Sequence, residues 1–111
     1  MSYDEHLADR IRELVAAEPG LAEKKMFGGL AFLIDGNMAV SASGQGGLLV
    51  RVDPGTSERL IAETDARLFE MGGRSMQGWL HVDAEHLRTK RQLGAWVARG
   101  TSFARSLPAK R

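Results

Sequence analysis

The chain has 111 residues, no cysteine and a formal net charge of +1, with 43% hydrophobic and 26% charged residues. This composition is typical of one globular domain, and the absence of cysteine excludes disulfides, thiolate metal ligands and a cysteine nucleophile. No apolar run approaches the ~20 residues that span a bilayer, and the acidic N-terminus lacks the pattern of a signal peptide, so we expect a cytoplasmic domain over residues 1–111, with a short basic tail at 108–111 and no membrane contact.

The first predicted element is a helix near residues 3–18. Ser2 and Glu5 have the S-x-x-E spacing of a capping box, which satisfies free N–H groups at a helix start. Pro19-Gly20 is typical of a helix end. Apolar residues between these signals recur at helical spacing and form one face: Tyr3, Leu7, Ile11, Leu14 and Val15.

A three-stranded antiparallel meander is predicted between residues 25 and 52. Hydrophobicity alternates with period two up to Ile34, which is typical of a strand. Asp35-Gly36 then favours a tight hairpin turn, because both residues can adopt positive φ. Residues 38–42 form the returning strand, 43–47 a flexible loop and 48–52 the third strand.

The second half of the chain predicts helix, two strands and helix. Asp53 followed by Pro54 indicates the start of a helix near 55–64. Strands are predicted at 67–71 and 79–82, separated by a glycine-rich loop that is too long for a two-residue hairpin turn. A T-x-x-Q capping box at Thr89 starts the last helix, which Gly100 is expected to end or kink. The order α-β(3)-α-β(2)-α predicts an α+β layered sandwich with an antiparallel sheet.

Two glycine pairs are candidate ligand contacts, Gly28-Gly29 and Gly72-Gly73, the second followed by Arg74. Backbone N–H groups of such turns can hold an anion, and arginine can bind it with two hydrogen bonds. A phosphate loop, however, needs a helix directly after the glycines, and neither pair is followed by one. The alternative is that the glycines permit bulges or turns with positive φ.

The polar segment around His81 is the place where catalytic or metal chemistry could be sought. The pattern H-x-D-x-E-H over residues 81–86 matches no established zinc spacing. Ser75, His81 and Asp83 have the residue types of a triad, but the G-x-S-x-G motif is absent and a triad is defined by geometry. We expect no catalytic residue, no metal and no cofactor.

Charge is distributed unevenly along the chain. Residues 1–23 carry six acids and two bases, whereas residues 88–111 carry seven bases and no acid. Such asymmetry can mark a surface for nucleic acid or an acidic partner, or it can reflect a cationic helix C-terminus with a solvated tail. The candidate nucleic-acid contacts are Arg88, Lys90, Arg91, Arg99 and Arg105.

Four ordered blocks resemble the N-terminal domain of the TfoX/Sxy family, and together they span most of the chain. They are K-K-M-F-G-G at 24–29, R-V-D-P at 51–54, M-G-G-R-S-M-Q-G-W at 71–79 and the segment A-W-V to L-P at 95–108. The resemblance implies an α-β(3)-α-β(2)-α sandwich similar to YjbR/YgaC-like folds. It also implies transcriptional regulation of competence genes, in some bacteria together with the cyclic-AMP receptor protein. The family's longer regulators carry a second, C-terminal domain, so we expect here a stand-alone domain.

A regulatory interaction domain is the function that the resemblance implies, with a protein partner such as a transcription factor and a monomeric or homodimeric state. The alternatives are weak nucleic-acid binding through the basic last helix and small-molecule binding near Gly28 and Arg74. The candidate ligand- or partner-binding residues lie in the family blocks: Lys25, Phe27, Gly28, Gly29, Arg51, Gly72, Gly73, Arg74 and Trp79.

Overall fold

The computed structural model describes residues 3–26, 28–71 and 73–109. Within these ranges it contains three α-helices, six strands and two short 3-10 helices at Pro54–Thr56 and Ala84–His86. The helices are α1 (Glu5–Val15), α2 (Ser57–Glu63) and α3 (Lys90–Ser106). The strands are β1 (Leu21–Met26), β2 (Gly29–Ile34), β3 (Asn37–Ala42), β4 (Leu48–Arg51), β5 (Arg67–Met71) and β6 (Arg74–Val82). The predicted α+β class is confirmed.

The strands form one sheet in the order β1-β2-β3-β4-β6-β5, and all neighbouring pairs are antiparallel. The predicted meander corresponds to β2, β3 and β4, but the sheet has six strands where five were predicted. The additional strand is β1, which lies at one edge and exposes its four central residues. An edge strand with charged side chains is a normal protection against edge pairing, and it carries no alternation that could reveal it in the sequence.

A second correction concerns the segment after Gly73. The predicted glycine-rich loop at 72–78 is instead mostly strand, because Met71 and Arg74 pair directly and β6 begins at Arg74. The pairing is irregular, since Phe69 lies opposite Met76 whereas Leu68 lies opposite Leu80. The resulting bulge interrupts the period-two pattern, which is why the first half of β6 does not read as a strand.

The starts of α1 and α3 are set by side-chain caps. Asp4 caps α1, because its Oδ1 accepts hydrogen bonds from the backbone N–H groups of His6 and Leu7 at 2.9 and 3.1 Å. Ser2 lies outside the described residues. The Thr89/Gln92 capping box of α3 is confirmed, with both hydrogen bonds at 3.0 Å. Such caps replace the hydrogen bonds that a helix end cannot make internally.

The main core lies between the helices and one face of the sheet. Strand residues such as Phe32 and Val40 are fully buried there against Ile11 of α1 and Leu93 of α3. Gly100 was predicted to end or kink the last helix. It does not end the helix, since α3 continues to Ser106. Gly100 instead faces β3, where an added Cβ would overlap the carbonyl oxygen of Ala39. The glycine therefore allows α3 to approach the sheet closely.

A smaller apolar cluster consists of strand residues alone. It contains Ala31, Met38, Leu49 and Phe69, all buried, and Met26, Leu33 and Trp79 pack against it. All six strands thus contribute to this cluster. Because side chains alternate between the two faces of a strand, these residues lie on the sheet face opposite the main core, which we call the second face.

Among the described residues, no helix has the length and apolar character needed to cross a bilayer.

Candidate functional site

Arg51 has the most distinctive surroundings of the predicted site residues. It lies at the end of β4, opposite Trp79 of β6. The guanidinium carbon is 5.1 Å from the centroid of the Trp79 ring and 5.6 Å from that of Phe103 on α3. Two aromatic rings therefore stabilise this positive charge by cation–π interaction. Among the described residues, no carboxylate lies within 4 Å of it.

Phe103 also lines an open cleft of about 360 Å³ between α3 and the chain segment that leads into α2. We call it the α2–α3 cleft. The buried residues Val52 and Leu60 form its floor together with Phe103, while Arg59, Arg99 and Ser102 are exposed on its rim. Arg99 is held in place by stacking on Trp96, with 4.4 Å between guanidinium carbon and ring centroid.

The predicted nucleic-acid contacts do not form one compact patch. Lys90 and Arg105 stand at the two ends of α3, about 22 Å apart along its axis. The Arg105 guanidinium donates hydrogen bonds to Glu18 Oε1 at 2.7 Å and to the carbonyl oxygen of Pro19 at 3.1 Å. Lys90 lines a second cleft between α1 and α3, beside Arg10. The remaining members of the set are exposed: Arg88, Arg91 and Arg99.

The glycine pairs lie in turns. Gly28 and Gly73 have φ of +76° and +80°, and the space beside each α-carbon is open. Gly29 starts β2, and a Cβ there would overlap the carbonyl oxygen of Ala42 on β3, so its missing side chain serves the packing of the sheet. Neither Gly28 nor Arg74 lines either of the two clefts described here. The candidates Phe27 and Gly72 lie outside the described residues.

Arg74 and Trp79 share the second face of the sheet. Phe69 of the apolar cluster pairs with Met76, and directly opposed residues share a face, as do Arg74 and Met76 by alternation. Met76 is a large hydrophobic side chain that remains 36% exposed. Lys25 pairs with Leu30 of the main core, which places Lys25 on the other face. The structure therefore places Arg74 and Trp79 on one face of the sheet, with Arg51 directly opposite Trp79, and Lys25 on the other face.

The two histidines of the polar segment have separate partners. His81 is 2% exposed, and its Nε2 donates to the carbonyl oxygen of Gly46 at 2.7 Å. Its Nδ1 lies 3.4 Å from Asp83 Oδ1, whereas His86 Nδ1 lies 3.4 Å from Asp65 Oδ2. In residues 3–26, 28–71 and 73–109, no three His, Cys, Asp or Glu side chains are arranged to hold a metal ion.

The acidity of Asp83 is set by its neighbour on β5. Arg67 donates a hydrogen bond to Asp83 Oδ1 at 3.0 Å. This bond and, secondarily, the positive charge of Arg67 hold the pKa of Asp83 below its ordinary value. Because the pKa is depressed in the folded state, the contribution to stability is present above the unfolded pKa of about 3.9. It is lost as the pH falls through the folded pKa.

We expect Arg67→Gln to raise the pKa of Asp83 towards its ordinary range. The effect on stability at neutral pH should be small, because both side chains are about half exposed and solvent screens the pair. NMR titration of the Asp83 carboxyl carbon measures the shift directly, with Arg91→Gln as the control that removes an exposed charge elsewhere. An Asp83 pKa that is the same in both variants would contradict the assignment.

Arg59 and Ser102 were missed in the sequence because neither belongs to a motif, and their proximity depends on how α2 packs beside α3. The sequence gives only a weak indication that Phe103 belongs to a site. It lies in the block at 95–108, but an aromatic residue in a helix is expected in the core. It is only partly buried.

Comparison with known proteins gives one family. The model described as the TfoX N-terminal domain matches residues 13–104, which is most of the chain. The matched range contains all six strands, and it also contains Arg51, Arg74 and Trp79. No curated protein matches the chain.

Proposed function

The chain belongs to the TfoX N-terminal domain family, and we propose that it is a regulatory interaction module that binds a protein partner on the second face of its sheet. The observation that carries the proposal is that Arg74, Trp79 and the exposed Met76 lie on this one face of the sheet. The partner class we propose is a transcription factor, and the process is competence-type regulation.

The chemistry of the second face supports a protein partner. Methionine, tryptophan and arginine are enriched in protein interfaces, and a few such side chains usually carry most of the binding energy. Met76 and the partly buried Trp79 supply apolar contact area. Arg74 and Lys24 are both exposed on this face, Lys24 opposite Ala31 of the apolar cluster. A partner with apolar side chains bordered by acidic ones would be complementary.

Affinity purification with Arg74→Ala tests this proposal, and Arg91→Ala is the matched control because it removes an exposed arginine from α3 instead. We expect a transcription factor to be recovered with the wild type and the control. Recovery with Arg74→Ala should be lower by about tenfold, the effect of losing one important interface side chain. The binding is then repeated with the purified partner by calorimetry.

Equal recovery of that partner with both variants would contradict a role of the second face. Retention of the chain on DNA at ~50 mM salt, unaffected by Arg74→Ala but reduced by added salt, would favour the nucleic-acid alternative.

A further inference from the structure

The α2–α3 cleft is a feature that the partner surface does not use. Its size is at the lower end of the range of about 300–1,000 Å³ that is typical of small-molecule sites. Its floor is apolar, because Val52 and Leu60 are 4% and 9% exposed and Phe103 is partly buried beside them. Its rim is polar and positively charged. This combination of an apolar floor and a few polar groups is what small-molecule sites require.

The two arginines on the rim form no ion pair within the described residues. Among the described residues, no carboxylate lies within 4 Å of Arg59 or Arg99, whereas Arg12, Arg67 and Arg105 form ion pairs of 2.6 to 3.0 Å. Stacking on Trp96 restricts Arg99 without using its N–H donors. The N–H groups of both arginines therefore remain available to an external anion.

Arg51 and Ser102 strengthen this preference for an anion, whereas the carboxylate of Asp53 opposes it. Arg51 adds a third positive charge next to Phe103, with its guanidinium carbon 5.6 Å from the centroid of that ring. Asp53, the acid that lines the cleft, uses its Oδ1 to accept from the Gly55 N–H at 2.9 Å. The hydroxyl of Ser102 makes no hydrogen bond within the described chain and can donate to a ligand.

We propose that the α2–α3 cleft binds a small organic phosphate. The phosphate lies between Arg59 and Arg99, and the apolar body of the ligand packs on Phe103 and Leu60. A phosphate dianion neutralises two arginines, and its oxygens match the planar fork of each guanidinium. The cleft is local, so it holds a single phosphate group and does not follow a nucleic-acid backbone.

Titration of phenyl phosphate into the ¹⁵N-labelled chain, followed by NMR, tests the site. We expect a Kd below about 1 mM, with shifts confined to α2, the segment before it and the C-terminal half of α3. Inorganic phosphate should bind more weakly, and phenol should not bind. Arg59→Gln and Arg99→Gln should each weaken binding by about tenfold or more, because each loses charge-assisted hydrogen bonds. Both side chains are exposed, so the variants should fold.

Three controls make the result specific. Arg91→Gln removes an exposed charge from the same helix outside the cleft and should leave the Kd unchanged. Phe103→Leu should weaken binding of phenyl phosphate more than binding of inorganic phosphate. Arg74→Ala, which tests the partner surface, should leave the Kd unchanged, so failure of one proposal is distinguishable from failure of the other.

The proposal is wrong if phenyl phosphate does not bind at ~10 mM, or if Arg91→Gln weakens binding as much as the two cleft variants do. Equal affinity for phenol and phenyl phosphate would also overturn it. Displacement by a single-stranded oligonucleotide, with an affinity that falls steeply with salt, would assign the cleft to nucleic acid instead.

Discussion

Gly100→Ala should lower the free energy of unfolding by about 2 kcal/mol, although alanine is the better helix former by about 1 kcal/mol. An added Cβ would overlap the Ala39 carbonyl oxygen and lie 2.7 Å from Val40 Cγ1. Both atoms belong to β3, a central strand paired on both sides. The sheet cannot yield without losing hydrogen bonds, so α3 has to move away from the core. Urea denaturation measures the change, which corresponds to roughly 10 °C in Tm.

Gly94→Ala is the matched control for this prediction. Gly94 is in the same helix, and among the described residues no heavy atom beyond its chain neighbours and the adjacent helix backbone lies within 4 Å of the position that its Cβ would occupy. The substitution should therefore stabilise the protein by about 0.5–1 kcal/mol through helix propensity alone. If both variants change stability by the same amount and in the same direction, the close approach of α3 to β3 does not exist.

Much of the fold could be predicted from the sequence because its signals are local. The Thr89/Gln92 box starts α3 as expected, and Asp35 and Gly36 have φ of +51° and +85°, as the hairpin requires. The elements that were missed lack local signals. β1 is an edge strand without apolar alternation, and the first half of β6 precedes a bulge that breaks the pattern.

The candidate sites could be predicted only in part, for the same reason. Arg51 and Trp79 belong to separate blocks of the sequence, and only the register of β4 against β6 places them side by side. Arg59 contributes to the α2–α3 cleft through the packing of a seven-residue helix, which no sequence periodicity specifies. Arg105, by contrast, was predicted from the basic segment as a nucleic-acid contact, but its side chain is paired with Glu18, 87 positions away in the sequence.

Gly78 lies in β6 between the two proposed sites, because it packs against Val52 of the cleft and precedes Trp79 of the second face. Gly78→Ala should lower the free energy of unfolding by about 2–4 kcal/mol. Its φ of +84° disfavours any side chain, and an added Cβ would lie 3.0 Å from both the Val52 carbonyl oxygen and Pro54 Cγ. The backbone is also fixed, because the Val52 N–H donates to the Gly78 carbonyl oxygen at 2.8 Å. The Gly78 N–H in turn donates to Ser57 Oγ at 2.8 Å. Movement that relieves these tight contacts would therefore strain buried hydrogen bonds.

Gly73→Ala separates the two causes, since Gly73 has nearly the same φ, +80°, but open space around it. We expect Gly73→Ala to lower the free energy of unfolding only by the backbone penalty of a positive φ, about 1–2 kcal/mol. The difference between the two variants in urea denaturation then measures the contact of the bulge with residues 52–54. Because the same bulge positions Trp79 beside Arg51, Gly78→Ala should also change the tryptophan fluorescence of the folded protein, and Gly73→Ala should not. Equal costs and equal spectra would mean that the bulge is not held against that segment.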